Sequence, residues 1–241
     1  MKPVRVKYGA SETFSPGGGV TGVQSTKVSV KVENIATVKD VAIHYQQTDG
    51  TWTDATLITQ KHFGDYDLFF ENFSTFETNQ FVIRYLVNGQ TFWDNNNGAD
   101  YRFDSNRRGA VGGNVILNMA IAKRGSQAGG GMVVTTSWIE GEIFVSNLSY
   151  NKNVGIRWTL NDWTTFEDAK ATYSGAVPMY AFSSGVEVWK FKTPEYNLSN
   201  SNTPNFKFAV FYRNLDNDAS FWDNNFNHDY TLSKVDGTTV E

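Results

Sequence analysis

Cysteine is absent from the 241 residues, which excludes disulfides and every thiolate metal site. Histidine is nearly absent: His44, His62 and His228 show no His-x-x-x-His spacing, so a zinc centre has no ligand set and no metal or other cofactor is expected. Proline is scarce at 5 residues while 40% of the chain is apolar, a balance that builds packed cores and excludes the disordered class. No apolar run approaches the roughly 20 residues of a membrane span. Charge of one sign is also lacking. The net charge is −4 and no basic run is longer than the pair Arg107-Arg108, too little to neutralise a phosphate backbone, so nucleic acid is excluded as a partner. Met1-Lys2-Pro3 leads straight into an alternating segment without an apolar signal-peptide core, so the chain reads as a mature or excised piece of something longer.

Aromatics are plentiful, at 15%, which suits strands and flat-ligand binding better than helices. Apolar residues alternate with polar ones: Val28, Val30 and Val32 against Lys27, Ser29 and Lys31, then Phe81, Ile83, Tyr85 and Val87 against Gln80, Val82, Arg84 and Leu86. Phe206, Phe208, Val210 and Tyr212 repeat the pattern. Asn88-Gly89 is the strongest short signal for a two-residue hairpin. No stretch of a dozen residues carries a helical stripe. Many short strands without helices predict an all-β chain of immunoglobulin-like β-sandwiches.

An internal repeat sets the domain count. Phe-Trp-Asp-Asn-Asn-Asn-Gly-Ala-Asp-Tyr (92–101) matches Phe-Trp-Asp-Asn-Asn-Phe-Asn-His-Asp-Tyr (221–230), with Trp93 and Trp222 in register. Upstream, residues 32–41 match 145–154, and the lone tryptophans Trp52 and Trp163 follow in polar turns. The glycine triplets Gly17–Gly19 and Gly129–Gly131 precede each copy at similar distances. Two tandem domains are therefore expected, 1–104 and 112–241, joined by a polar, glycine-rich linker at 105–111.

Little in the chain points to catalysis, and no catalytic residue is expected. Asp94 with Asp100, and Asp223 with Asp229, recur as a carboxylate pair that a glycosidase would need. Each pair, however, lies in one short asparagine-rich turn, where an acid braces the loop through backbone N–H groups. A calcium site from Asp94, Asn96 and Asp100 lacks EF-hand spacing. His44 falls on the polar parity of its strand and reads as a solvated side chain. What the repeated phrase offers is a flat tryptophan face beside amides that both donate and accept hydrogen bonds, a pairing suited to the C–H faces and hydroxyl rim of a sugar.

Both repeats resemble starch-binding domains of carbohydrate-binding module family 21, found in fungal glucoamylases and in glycogen-targeting subunits of protein phosphatase 1. The resemblance is carried by Asn34-Ile-Ala, Trp52, the run 81–87 and the phrase 93–101. In the second copy it rests on Asn147-Leu-Ser-Tyr, Trp163, 206–212 and 222–230. It implies a first glucan site that stacks sugar on Trp52 with Trp93, and on Trp163 with Trp222. The family's hydroxyl-bonding asparagines fall on Asn95 and Asn97, and on Asn224 with Asn227 standing in where Phe226 replaces the third amide. A further strand aromatic of that site corresponds to Val82 and Lys207. The family's second site implies Tyr150 and Tyr173 in the second copy; the first has Thr37, with Phe63 and Tyr66 as partners.

The function so implied is non-catalytic binding of α-1,4-glucans: starch, amylose, glycogen and maltooligosaccharides. The protein is expected to be a monomer attached to an amylolytic enzyme or a starch-adherence protein. The expected setting is extracellular, secreted or at the cell surface, with the cytoplasm as the alternative. Other readings are a glycogen-targeting phosphatase subunit, for which Arg5-Val-Lys-Tyr8 approximates the docking segment, and a starch-acting enzyme.

Overall fold

Period-two alternation becomes strand along the whole chain. The computed structural model describes residues 2–14, 23–73, 80–103, 109–129, 132–176, 185–197, 205–233 and 237–241. Among these there is no α-helix; strands are joined by turns, three of them short 3-10 turns. Two compact units emerge, Met1–Asn114 with Gly175–Glu187, and Val115–Ser174 with Val188–Glu241.

Unit 1 holds β1 (Val4–Phe14), β2 (Val23–Glu33), β3 (Lys39–Gln46), β4 (Trp52–Thr56), β5 (Thr59–His62), β6 (Tyr66–Phe73), β7 (Gln80–Val87), β8 (Gln90–Asp94), β9 (Tyr101–Arg102) and β10 (Gly109–Ala110). One sheet runs β10-β1-β2-β6-β5; the other runs β4-β3-β7-β8, with β9 on β7. Their inner faces share one core, with Val28, Val30 and Val32 from the first sheet meeting Phe81, Ile83, Tyr85 and Val87 from the second. That is a β-sandwich, and the alternation assigned its inner face correctly. Each fully buried side chain of this kind contributes about 1.5–3 kcal/mol. Asn88 and Gly89 both adopt positive φ, 50° and 74°, as the tight hairpin between β7 and β8 requires. Lys31, on the polar parity, is nonetheless buried, with its ammonium 3.8 Å from the centre of the Tyr66 ring.

Unit 2 holds β11 (Val115–Gly129), β12 (Met132–Ser146), β13 (Lys152–Thr159), β14 (Glu167–Lys170), most of β15 (Thr172–Ala176) and of β16 (Val186–Lys192), β17 (Tyr196–Asn197), β18 (Phe206–Asn214), β19 (Ser220–Asp223), β20 (Tyr230–Leu232) and β21 (Thr239–Val240). Its sheets run β15-β16-β12-β11-β21, with β17 on β12, and β14-β13-β18-β19, with β20 on β18. Phe191 of the first sheet meets Phe208 of the second at 6.3 Å between ring centres.

Of the residues expected as linker, 105–108 lie outside the described residues, as do Gly17–Gly19 and Gly130–Gly131. The remainder is not a free tether. Gly109 and Ala110 pair with Ala10 and Gly9 on β1, and Val111 is buried. Gly112 lies so close to β1 that a Cβ there would stand 2.6 Å from the Val6 carbonyl oxygen.

Candidate functional site

The repeated phrase divides into a buried brace and an exposed rim. Asp94 is buried, and its Oδ2 accepts the Val6 N–H at 2.8 Å and the Tyr101 hydroxyl at 2.8 Å. In unit 2, Asp223 accepts the Leu117 N–H at 2.8 Å and the Tyr230 hydroxyl at 2.6 Å. Each backbone donor sits where the ladder of its hairpin shifts register, Val6/Tyr8 and Leu117/Met119. The aspartate thus occupies an N–H that a β-bulge withholds from the ladder. Burial pushes the Asp94 carboxyl above the usual carboxylate range, against the pull of the Tyr101, Val6 and Asn96 hydrogen bonds and of Lys2. Tyr101 is raised well above its ordinary value, first by burial and then by Asp94.

The amides between brace residues have a backbone role first. Asn96, Asn97 and Asp100, like Asn225, Phe226, Asn227 and Asp229, adopt positive φ, a region that Asn and Asp tolerate best among side-chain-bearing residues. Asn96 donates to the Asp100 carbonyl at 3.0 Å, and Asn225 to the Asp229 carbonyl at 3.1 Å. Phe226 has φ 57° and is buried, so the ring that replaces the third amide packs inward. Asn97 is exposed and makes no side-chain hydrogen bond among the described residues. Asn95 Oδ1 accepts from Lys2 at 3.1 Å. Asn224 and Asn227 hold each other, Nδ2 to Oδ1 at 3.2 Å. Asp100 accepts from Gln80 at 2.6 Å, while Asp229 accepts the Trp163 indole N–H at 2.9 Å and lies 3.8 Å from the Lys207 ammonium. These acids are engaged as braces. Among the described residues no group of three or more His, Asp or Glu side chains is placed to hold a metal.

Removing a brace tests this division. Asp223→Ala would remove the acceptor of the buried Leu117 N–H and of the Tyr230 hydroxyl, at about 1–3 kcal/mol for each group that finds no replacement. Thermal denaturation should show a Tm lower by several degrees; an unchanged Tm would show that the brace contributes nothing.

The exposed half is an aromatic strip. On the outer face of the β4-β3-β7-β8 sheet, Trp52 and Trp93 remain 37% and 38% exposed, large apolar areas for a protein surface. Between them lies His44, stacked on Trp52 (centres 5.1 Å apart, planes at 19°) and edge-on to Trp93 at 5.4 Å. His44 Nδ1 meets Asp54 Oδ1 at 2.6 Å, and Arg84 Nε donates to Asp54 Oδ2 at 2.9 Å. The histidine is therefore a member of the strip, which the parity argument could not show.

Unit 2 repeats the strip with different residues. Strand register sets the equivalences: Asp94 faces Ile83 and Asp223 faces Val210; His44 faces Asp54 and Arg157 faces Asp168. Two residues before Asp54 stands Trp52, and two before Asp168 stands Phe166. The guanidinium carbon of Arg157 lies 4.2 Å from the centre of Phe166 and 5.5 Å from that of Trp222. Arg157 also forms a two-bond pair with Asp168, at 2.7 and 2.9 Å, which with burial working against it leaves its pKa raised. Gly155, where a Cβ would stand 3.0 Å from Phe211, lets Phe211 lie beneath Trp222, their centres 5.5 Å apart. Trp163 sits instead in the preceding turn at φ 67°, half-buried and tied to Asp229.

The same register corrects the assignment of Val82 and Lys207. Val82 faces His44, but its counterpart facing Arg157 is Ala209, whereas Lys207 faces Thr159. Of the second-site residues, Tyr150 is 95% exposed and Tyr173 is exposed with its ring edge against Trp189 at 5.9 Å. Nothing in the described contacts joins the two tyrosines. In unit 1, Tyr66 is buried and stacked on Phe63, so it presents no free face.

Comparison with known proteins bears on unit 2 above all. Residues 130–233 match the model of the carbohydrate/starch-binding module, family 21. The GSY2-interacting protein PIG2 of Saccharomyces cerevisiae is 27% identical over 107 residues, 42% of this chain and 20% of that protein. The human protein phosphatase 1 regulatory subunit 3E is 30% identical over 94 residues, 39% of this chain and 30% of that protein. The chain thus spans less than a third of these relatives. A solved structure, the carbohydrate binding module of the muscle glycogen-targeting subunit of protein phosphatase-1, is 26% identical, covers 48% of this chain and 76% of that one, and superposes with a TM-score of 0.30.

Proposed function

We propose that the chain binds α-1,4-glucans without acting on them, through one aromatic strip on each of two immunoglobulin-like units in tandem. The observation that carries this reading is the outer sheet face of each unit, where exposed rings lie beside a loop of asparagines. The family match over 130–233 supports it for unit 2, and the repeated geometry extends it to unit 1. Trp52 and Trp93 supply stacking in unit 1, with Asn95 and Asn97 at the rim. Trp222, with Trp163 in the adjoining turn, does so in unit 2, with Asn224 and Asn227. Tyr150 and Tyr173, both exposed, supply further contacts in unit 2, each on its own. Starch, amylose, glycogen and maltooligosaccharides are the ligands, and a monomer in an extracellular or cell-surface setting, attached to an amylolytic or starch-adherence protein, is the form in which it acts.

Calorimetry with maltoheptaose and cellohexaose tests the claim. Binding of the first in the micromolar to millimolar range, with no binding of the second, is expected. Equal binding of both, or of neither, refutes it.

A second reading, a subunit that targets a phosphatase to glycogen, is favoured by the names of the relatives and would place the chain in the cytoplasm with a protein partner. Arg5-Val-Lys-Tyr8 does not serve as its docking segment in this fold, because Val6 is fully buried and paired with Val30 inside β1 and β2. Glucan binding is common to both readings.

A further inference from the structure

The two strips differ at their centres. In unit 1 the planar group between the rings is the His44 imidazole; in unit 2 it is the Arg157 guanidinium. Both occupy the same register position, and both are pinned on one side by an aspartate from the neighbouring strand, Asp54 or Asp168. Both keep polar atoms unused: His44 Nε2 makes no hydrogen bond among the described residues, and Arg157 Nη1 stands outside the pair with Asp168. A sugar ring needs an apolar plane for its C–H face and directional partners for its hydroxyls. The flanking rings offer the first, and the nitrogen edge between them offers the second.

We infer that His44 and Arg157 are themselves ligand-contacting members of the two strips, and that Phe166 is the opposing ring in unit 2. The inference rests on the glucan-binding reading. The charged groups facing His44 are Asp54 on β4 and, through Asp54, Arg84 on β7, which also holds Asp40 on β3; β8 contributes the Trp93 ring. Nδ1 carries the hydrogen shared with Asp54, which leaves Nε2 as an acceptor for a sugar hydroxyl. The Arg157 guanidinium offers donors only, so the two strips present opposite hydrogen-bonding edges to the same kind of ligand.

The test uses the 241-residue chain with one strip silenced at a time and maltoheptaose as the probe. With Trp222→Ala, Phe166→Ala and Tyr150→Ala silencing unit 2, adding His44→Leu should raise the Kd of unit 1 about two- to tenfold, the range of one lost hydrogen bond, and His44→Gln, which keeps a hydrogen-bonding edge, should recover most of the loss. With Trp52→Ala and Trp93→Ala silencing unit 1, Arg157→Leu should raise the Kd of unit 2 by a similar factor, and Phe166→Ala should weaken it about tenfold. Unit 1 affinity unchanged by His44→Leu, a loss that His44→Gln does not recover, or unit 2 affinity unchanged by Phe166→Ala overturns the inference while glucan binding stands. An unmodified chain that ignores maltoheptaose overturns both together.

Discussion

Trp52→Ala combined with Trp222→Ala should abolish retention on insoluble starch while lowering the Tm by no more than about 3 °C. Both rings keep over a third of their area exposed, so truncation removes little buried surface, whereas a stacking site loses its floor. Trp52 stands on the edge strand β4, where its loss opens no cavity. Trp222 covers Phe211, so that half of the variant carries the larger share of the stability cost. Starch pull-down and thermal denaturation on the same sample check the prediction. A Tm lower by ten degrees or more would mean that the rings are packing residues. Full retention on starch with an unchanged Tm would place the binding surface elsewhere, with the exposed Tyr150 and Tyr173 next in line.

The sequence was most legible where one periodicity governed a whole element. Phe81, Ile83, Tyr85 and Val87, and later Phe206, Phe208, Val210 and Tyr212, face inward because a half-buried strand has a strict period of two. Asn88-Gly89 turns because both residues accept positive φ. Where residue identity and strand register disagreed, identity misled. Trp163 looks like the partner of Trp52 because both are lone tryptophans in polar turns, yet the ladder puts Phe166 at the equivalent place and leaves Trp163 bonded to Asp229. The pairing Asp54-Ala55 with Asp168-Ala169 was the available signal, since an aspartate opposite a nitrogen donor on the central strand fixes register. His44 was missed for a related reason. Polar parity identifies the outward face, but it cannot say that two tryptophans from neighbouring strands will close around the residue there.

The phrase Trp-Asp-Asn-Asn carries two messages at once, which is why composition alone left it ambiguous. Asp94, Asp223, Tyr101 and Tyr230 are buried and answer a backbone requirement at a β-bulge. The asparagines supply positive-φ backbone before they supply side chains. What is left over for a ligand is the tryptophan face and the outermost amides, Asn97 above all, whose side chain bonds to no described residue. On the glucan-binding reading proposed above, a structural turn and a binding loop are the same loop, built by different residues of one motif.

Silencing either strip alone should cost far more on starch than on a short oligosaccharide. A polymer offers many equivalent sites, so a second module tethered to the first binds at an elevated effective concentration and multiplies avidity by about 10²–10⁴. Trp52→Ala in the intact chain should therefore weaken starch binding by a factor in that range. Affinity of unit 2 for maltotriose, which is too short to engage two modules, should stay unchanged. Trp222→Ala should show the mirror image. Point variants are the right tool, because Gly109 and Ala110 pair with β1 and Gly112 lies against Val6, so cutting the chain at the expected linker would take an edge strand away from unit 1. Depletion isotherms on starch granules, set beside calorimetry with maltotriose, give the two numbers. If Trp52→Ala leaves starch affinity within about twofold of the unmodified chain, unit 1 contributes no avidity, and the repeated strip around His44 would be a surface retained for some purpose other than polymer binding.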